Sequence, residues 1–437
     1  MKRTRTPVQP REPSEPKLVQ IEKPIYGGAF LARVNGKATF VPLTLPGERA
    51  RVRITEEKRG YATAEPEEIV AAAPNRVTPV CRHFGNCGGC NYQHADYETQ
   101  LALKQKILSE TMERGGVRVP ETIDVLAGEP WRYRNRIRLA FDSDGRPGYR
   151  ARWSHSVIPI SECPIGASIL IEGALAAAEF SRMSPTASRP SESTFFCNAE
   201  ETELLASLVI SGWSKAQCDD LARSLSERIP ALRGVEFLTE SGRENEARIV
   251  SRWGASSLTY RAADFGFRVD QGAFFQVNRW LIDSLVARVT DGQVGKIAWD
   301  LFAGVGLFAR RLTSHFESVV AVESAPAAIP ALGHNLAGTR SKALKAETLE
   351  FLRNQSHAKR PDLIVVDPPR TGLGMEVAQL LSAIGAPTLI YVSCDPATLA
   401  RDLRTILASG NEIESMALAD LFPQTFHLET IVHLRRA

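Results

Sequence analysis

The sequence predicts an α/β protein: a C-terminal Rossmann-like domain with a doubly wound, mostly parallel sheet, preceded by a small OB-like β-barrel and an α+β central domain. Three observations predict it. From about residue 263, apolar strands alternate with helical stretches, the pattern of a parallel sheet covered on both faces. Residues 17 to about 75 carry short β-like runs broken at Gly27-Gly28, Asn35-Gly36 and Pro46-Gly47, the rhythm of a small barrel. Between these regions lie three cysteines within ten residues and a row of arginines, neither of which fits the other two patterns.

The expected division is a disordered tail over 1–16, where four prolines stand among charges, then a barrel over 17–76, a central domain over 77–262 and the parallel-sheet domain over 263–437. At 437 residues and 43% hydrophobic, the chain is long enough to bury more than one core. No run of about 18 apolar residues offers a membrane span. The opening MKRTRTPVQPREPSEPK has no apolar stretch behind its basic residues, so no secretory signal is read and a cytoplasmic protein is expected; separately, a monomer is expected. Seven cysteines are too few for a disulfide scaffold in a chain of this size, which directs attention to metal or catalytic roles.

Charge is uneven. Residues 1–160 hold 26 Lys and Arg against 18 Asp and Glu, a net of +8, and since the whole chain totals +3 the remainder carries −5. The front of the chain is therefore expected to grip an anionic partner. In the barrel, Arg49, Arg51 and Arg53 recur every second residue and should share one face, as in OB-like barrels that hold a phosphate backbone.

The segment CRHFGNCGGCNYQH places Cys81, Cys87 and Cys90 in a C-x5-C-x2-C cluster whose glycines let the backbone wrap closely. Four thiolates are usual for iron-sulfur clusters and common for structural zinc. The candidate fourth ligand is Cys163 in SECPIG, while Cys197 and Cys218 are read as packing residues. The spacing is not C-x3-C-x2-C, so radical use of S-adenosylmethionine is not suggested. Next, WRYRNRIRLAFDSDGRPGYRARW alternates Arg132, Arg134, Arg136 and Arg138 with apolar residues, then turns at Asp144-Gly145. An arginine-lined face with interleaved aromatics suits RNA, because guanidinium planes meet phosphates and stack on bases. The low-complexity stretch 184–194 is read as a loop.

In KIAWDLFAGVGLFARRL (296–312) an apolar strand ends at Asp300 and runs into Gly304 and Gly306, where missing side chains admit a ligand to the backbone. About twenty residues on, SVVAVES ends a second strand in Glu323, the position from which a carboxylate holds ribose hydroxyls. The full G-x-G-x-x-G is absent, so the combination points to a class I methyltransferase binding S-adenosylmethionine rather than to a dinucleotide enzyme. PDLIVVDPPRTGLG then puts Asp367 at a strand end beside a rigid turn. YVSCDPATLARDL delivers Cys394 to the same edge, where ligands sit in doubly wound sheets. A thiolate there could add to carbon 6 of uracil and make carbon 5 nucleophilic, and Glu429 in the last strand could remove the carbon 5 proton.

These motifs, with FFQVN at 274–278, DLFAGVG, DPPR and HLET, resemble the S-adenosylmethionine-dependent RNA 5-methyluridine methyltransferases, most closely their iron-sulfur-containing branch acting on 23S ribosomal RNA. The resemblance runs from about residue 17 to the end. It implies a TRAM-type barrel, a [4Fe-4S] cluster on Cys81, Cys87, Cys90 and Cys163, and S-adenosylmethionine held by Gln276, Phe302 and Glu323 beside Gly304 and Gly306. It further implies Cys394 as nucleophile, Glu429 as base, Asp367 as a ligand of the uracil and methyl-donor region, and a helical segment over 93–124 that packs with the methyltransferase domain. Leu307 and Thr348 depart from residues common in the family. Transfer RNA is the alternative substrate; a cytosine-5 methyltransferase and an inactive RNA-binding iron-sulfur protein are the rival classes.

Overall fold

A computed structural model of the chain describes residues 15–183, 189–240, 247–355 and 359–436. Most of the expected N-terminal tail and residues 184–188 of the expected loop lie outside these. The barrel consists of β1 (Lys17–Pro24), β2 (Ala29–Val34), β3 (Lys37–Pro42), β4 (Arg49–Glu57) and β5 (Ala62–Ala71), closed in the order β1-β2-β3-β5-β4. Every second residue points inward, so Val19, Ile21, Phe30, Ala32, Val41, Ala50 and Val52 form its core. Arg51 and Arg53 share the outer face as expected, but each pairs with a carboxylate of β5, Glu68 and Glu67. At these two positions the row is charge-paired rather than bare, while Arg49 is exposed.

Helix α1 (Tyr97–Arg114) follows, its N-cap Asp96 accepting from Thr99 N at 2.8 Å. The helix buries two faces: at about 100° per residue Leu108 and Met112 share one side and Leu103 lies opposite Met112. Leu103 completes the barrel core, while Leu108 and Met112 enter the core of the C-terminal sheet. Lys104 Nζ, fully buried, meets Asp420 Oδ1 at 2.5 Å. Removing one partner of such a pair typically costs about 3 to 5 kcal/mol, since it strands a charge.

The central sheet gathers β7 (Arg136–Phe141), β8 (Pro147–Arg150), β9 (Val157–Pro159), β10 (Glu192–Cys197), β11 (Leu204–Val209), β12 (Leu232–Glu240) and β13 (Ala247–Gly254) in the order β13-β12-β11-β10-β7-β8-β9. Two helices, α2 (Ser168–Met183) and α3 (Lys215–Arg228), pack against it. Residues 192–194, expected in a loop, belong to β10. Cys197 and Cys218 are buried in this core. The arginine row divides: Arg136 lies 4.2 Å from the Phe196 ring and donates to Ala273 O, whereas Arg138 and Arg150 both pair with Glu192. The hairpin β14 (Ser257–Ala262) and β15 (Phe265–Asp270) puts Leu258, Tyr260, Phe267 and Val269 into the same core as the C-terminal domain.

The C-terminal domain adds α4 (Ile282–Thr290), β16 (Gly295–Leu301), α5 (Leu307–Leu312), β17 (Phe316–Glu323), α6 (Ile329–Asn335), β18 (Lys342–Lys345), α7 (Thr348–Arg353), β19 (Leu363–Val366), α8 (Met375–Ile384), β20 (Thr388–Ser393), α9 (Pro396–Leu407), β21 (Asn411–Ala419) and β22 (Glu429–Arg436). Its sheet runs β18-β17-β16-β19-β20-β22-β21-β6, parallel as far as β20 and antiparallel where β22 joins. The edge strand β6 (Asp124–Leu126) comes from the segment between barrel and central sheet and pairs with β21. No helix among the described residues is long and apolar enough to cross a membrane.

Candidate active site

The strand order reverses beside β16, and the residues singled out in the sequence converge at that end of the sheet. Asp300 lies in β16, Glu323 ends β17, Asp367 follows β19 and Cys394 follows β20. Because β22 runs antiparallel, its first residue arrives at the same edge. Ser393 pairs with Thr430, so Cys394 and Glu429 stand one residue beyond that pair on adjacent strands.

Local sequence explains each placement. Thr388–Ser393 is an almost wholly buried strand, and Asp395-Pro396 does more than interrupt it. Asp395 caps α9, accepting from Ala397 N at 3.0 Å and Thr398 N at 2.9 Å, and Pro396 sits where a helix tolerates a missing N–H. Cys394 is thereby fixed, half-buried, between a strand end and a helix start. At the end of β16, Phe302, Gly304 and Gly306 all have positive φ, at 64°, 56° and 90°. A Cβ on Gly304 would meet open space, whereas one on Gly306 would lie 2.8 Å from Leu332 Cδ1. Gly304 leaves room for a ligand, and Gly306 lets the loop pack on α6.

Glu323 is engaged by backbone. Its carboxylate accepts from Gly304 N at 2.7 Å, Ser324 N at 2.7 Å and Ala325 N at 2.6 Å, tying the glycine loop to β17. Gln276, itself buried, donates from Nε2 to Asp367 Oδ2 at 3.5 Å, and its carbonyl accepts from Asn135 Nδ2 of the central region.

Burial and like charge dominate the electrostatics. Burial raises Asp367 to about 7. Asp300 is pushed up to about 8, first by burial and further by Asp367 and Glu323, and its Oδ1 has no hydrogen-bond partner. Glu429 is raised well above the usual carboxylate range by burial and then by Asp367, with Arg370 opposing. The Cys394 thiol is pushed up to about 12 by burial, then by Glu429 and Asp367, again against Arg370. A crevice that crowds carboxylates out of water favours a cationic ligand, because a positive charge relieves both the repulsion and the cost of ionising them.

Three further groups escaped the sequence reading. Arg370 Nη2 lies 3.2 Å from His427 Nδ1, and His427 packs on Phe426. Arg370 stood within the D-P-P-R motif and could have been singled out as its cation. Tyr26, from the barrel, donates from its hydroxyl to Cys394 O at 3.4 Å. Nothing in the sequence around it signals that contact.

The cysteines form a second cluster. Cys81, Cys87, Cys90 and Cys163 are half-buried free thiols. Cys87 is pushed up to about 11 by burial and then by its neighbours Cys163 and Cys81. Their loop is stitched to the central sheet by Gly88 N to Arg150 O and Arg152 N to Asn86 O, both 3.0 Å, and a Cβ on Gly88 would sit 3.0 Å from that Arg150 oxygen. Among the described residues no three His, Cys, Asp or Glu side chains converge tightly enough to hold one metal ion.

Comparison with known proteins agrees with this geometry. A family model of tRNA (uracil-5-)-methyltransferases matches residues 355–437, and a TRAM domain model matches residues 10–66. An uncharacterized RNA methyltransferase of Streptomyces avermitilis is 32% identical, covering 96% of this chain and 98% of the relative. The 23S rRNA (uracil(1939)-C(5))-methyltransferase RlmD of Chromohalobacter salexigens is also 32% identical, over 96% of this chain and 89% of its own. The fold matches the crystal structure of Pyrococcus abyssi tRNA (uracil-54, C5)-methyltransferase in complex with S-adenosyl-L-homocysteine, with a TM-score of 0.76 at 23% identity over 95% of this chain and all of the other. The chain belongs to the S-adenosylmethionine-dependent RNA (uracil-5-)-methyltransferases.

Proposed function

We propose that the chain methylates carbon 5 of a uridine in 23S ribosomal RNA through a transient bond between Cys394 Sγ and carbon 6. The observation that carries this reading is the pairing of a half-buried thiol with a buried carboxylate one residue beyond the Ser393–Thr430 pair. Carbon 5 of uracil is a poor nucleophile. Attack of the thiolate on carbon 6 sends the double-bond electrons toward carbon 5 and the carbon 4 carbonyl, and carbon 5 can then take up a methyl group. S-adenosylmethionine, when bound, supplies that methyl group as an electrophile. Glu429 then removes the carbon 5 proton, the electrons of the broken C–H bond restore the ring double bond, and the thiolate leaves.

The crevice fits the methyl donor. Phe302, Gly304, Gly306 and Glu323 would line its nucleoside side, with Gln276 and Asp367 toward the reacting centre, and the donor is cationic as the carboxylates require. Its charge would also lower the cost of ionising Cys394, whose proton must leave for attack to occur. Asp367, held by Gln276, would accept from the uracil ring N–H once that edge enters the crevice.

Ribosomal RNA is preferred over transfer RNA because relatives named as 23S rRNA enzymes match over 89% and 87% of their own lengths at 32% and 30% identity, whereas the tRNA enzyme shares the fold. Mapping 5-methyluridine in both RNA classes from cells with and without the protein tests this. Loss of a 23S rRNA modification is expected; loss confined to tRNA would overturn the assignment.

The four cysteines are assigned to a [4Fe-4S] cluster. Four unpaired thiols from residues 81–90 and 163, on a backbone that approaches within contact distance at Gly88, supply the donor set. Zinc bonds of about 2.3 Å would draw the sulfurs to one point, while a four-iron cluster seats each on its own metal and spreads them. Anaerobically purified protein should be brown, with about four irons and four sulfides per chain. Cys163→Ser should bleach it and loosen the central sheet, since Cys163 is the ligand remote in sequence. Colourless protein with stoichiometric zinc would sink the assignment.

A further inference from the structure

The barrel and the methyltransferase domain exchange side chains. Tyr26, in the β1–β2 turn, packs against the core of the C-terminal sheet, and Phe426, in the segment leading to Glu429, packs against the core of the barrel. The two rings meet edge to face with centroids 5.6 Å apart and planes at 85°, a favoured aromatic geometry. The turn comes this close because Gly28 has φ +88° and no side chain: a Cβ there would lie 3.2 Å from both Asn91 and the Phe426 ring. Asn91 Oδ1 in turn accepts from Phe426 N at 3.4 Å, and Lys23 Nζ reaches Glu110 of α1 at 2.6 Å. These contacts dock the barrel firmly beside the catalytic edge.

One side chain therefore touches the residue that carries the thiol and the segment that leads to Glu429. The Tyr26 hydroxyl donates to Cys394 O, and its ring abuts Phe426, three residues before Glu429. Burial first, and then the Asp395 carboxylate, push the phenol up, so it is a hydrogen-bond donor at neutral pH. We propose that Tyr26 is a positioning residue for methyl transfer, clamping the turn that carries the thiol against the segment that carries the base, so that the barrel contributes to turnover as well as to RNA binding.

The inference rests on Cys394 being the nucleophile, and full-length variants assayed on an unmodified 23S rRNA transcript separate the two claims. Tyr26→Phe keeps the ring and loses the hydroxyl; kcat should fall about 2- to 10-fold with KM for the transcript unchanged. Tyr26→Ala loses both contacts; kcat should fall on the order of 100-fold, the cost of a small misplacement of reacting groups. S-adenosylmethionine binding and Tm should hold in the Phe variant, which rescues most of the Ala loss. Wild-type kcat in Tyr26→Ala, or a rise in KM with kcat intact in either variant, would overturn the proposal and make Tyr26 at most an RNA contact. Wild-type kcat in Tyr26→Phe would remove the hydroxyl's part even if the Ala variant did not fold. A covalent RNA adduct persisting in Cys394→Ala would instead defeat the nucleophile assignment.

Discussion

Cys394→Ala should bind RNA and S-adenosylmethionine, transfer no methyl group and form no denaturant-resistant complex with RNA. The expected loss is on the order of 10⁴-fold or more, the scale on which removing a nucleophile acts. The thiol is the group at the carboxyl end of β20 able to add to carbon 6, and without that bond carbon 5 keeps its low nucleophilicity. Stability should hardly change. With its titration pushed up to about 12, the group is neutral near pH 7, so alanine removes no charge, and trimming a half-buried sulfur costs about 1 kcal/mol or less. Labelled methyl transfer to a 23S rRNA transcript, with RNA binding measured alongside, checks the result. Full activity in this variant would overturn the mechanism.

The grouping of the candidate site residues at one edge of the sheet was legible because it depends on local rules. A parallel sheet sends the ends of successive strands to one side, so Asp300, Glu323, Asp367 and Cys394 could be grouped from their places after apolar runs. Glu429 required only that the last strand join the same sheet, which β22 does. What the residues do between ligands was less legible. Glu323 was expected at a ribose, and its carboxylate also accepts from three backbone amides, a role that depends on the path of the Gly304 loop.

The arginines show a second limit. Alternation correctly set the arginines apart from buried Tyr133, Ile137 and Leu139, although the strand expected over the whole row begins only at Arg136 and Arg132 has a positive φ of 49°. Their partners were not legible. Whether a guanidinium faces water, an aromatic ring or a carboxylate depends on strands distant in sequence: Glu192 for Arg138, Phe196 for Arg136, Glu65 for Arg152. A basic stretch of sequence is therefore charge-paired at Arg138, Arg150 and Arg152, and an anionic partner gripped there would have to compete with those carboxylates. Tyr26 is the extreme case, since its partner Cys394 lies 368 residues away.

Glu429→Gln should trap the reaction after methyl transfer. Glutamine keeps the size and most of the packing of a side chain only 4% exposed, so thiol attack and methylation remain open, but the group that removes the carbon 5 proton is gone. Turnover should fall about 10²- to 10⁴-fold, and the stalled adduct should appear as a denaturant-resistant protein-RNA band that carries the methyl group and forms only with S-adenosylmethionine. The same substitution has a signature in stability. Burial and Asp367 raise Glu429 well above the usual range, so the folded state favours the protonated carboxyl. That contribution is complete below the unfolded-state value and is lost as pH rises through the folded one. Glutamine cannot ionise, so its Tm should exceed that of the wild type by more at pH 8 than at pH 5. Wild-type elimination should likewise slow as pH falls, because the base must be ionised to act. A fully active Glu429→Gln enzyme would assign the base elsewhere. A variant that loses activity without accumulating the adduct would place Glu429 before methyl transfer, as an organiser of the crevice rather than the acceptor of the carbon 5 proton.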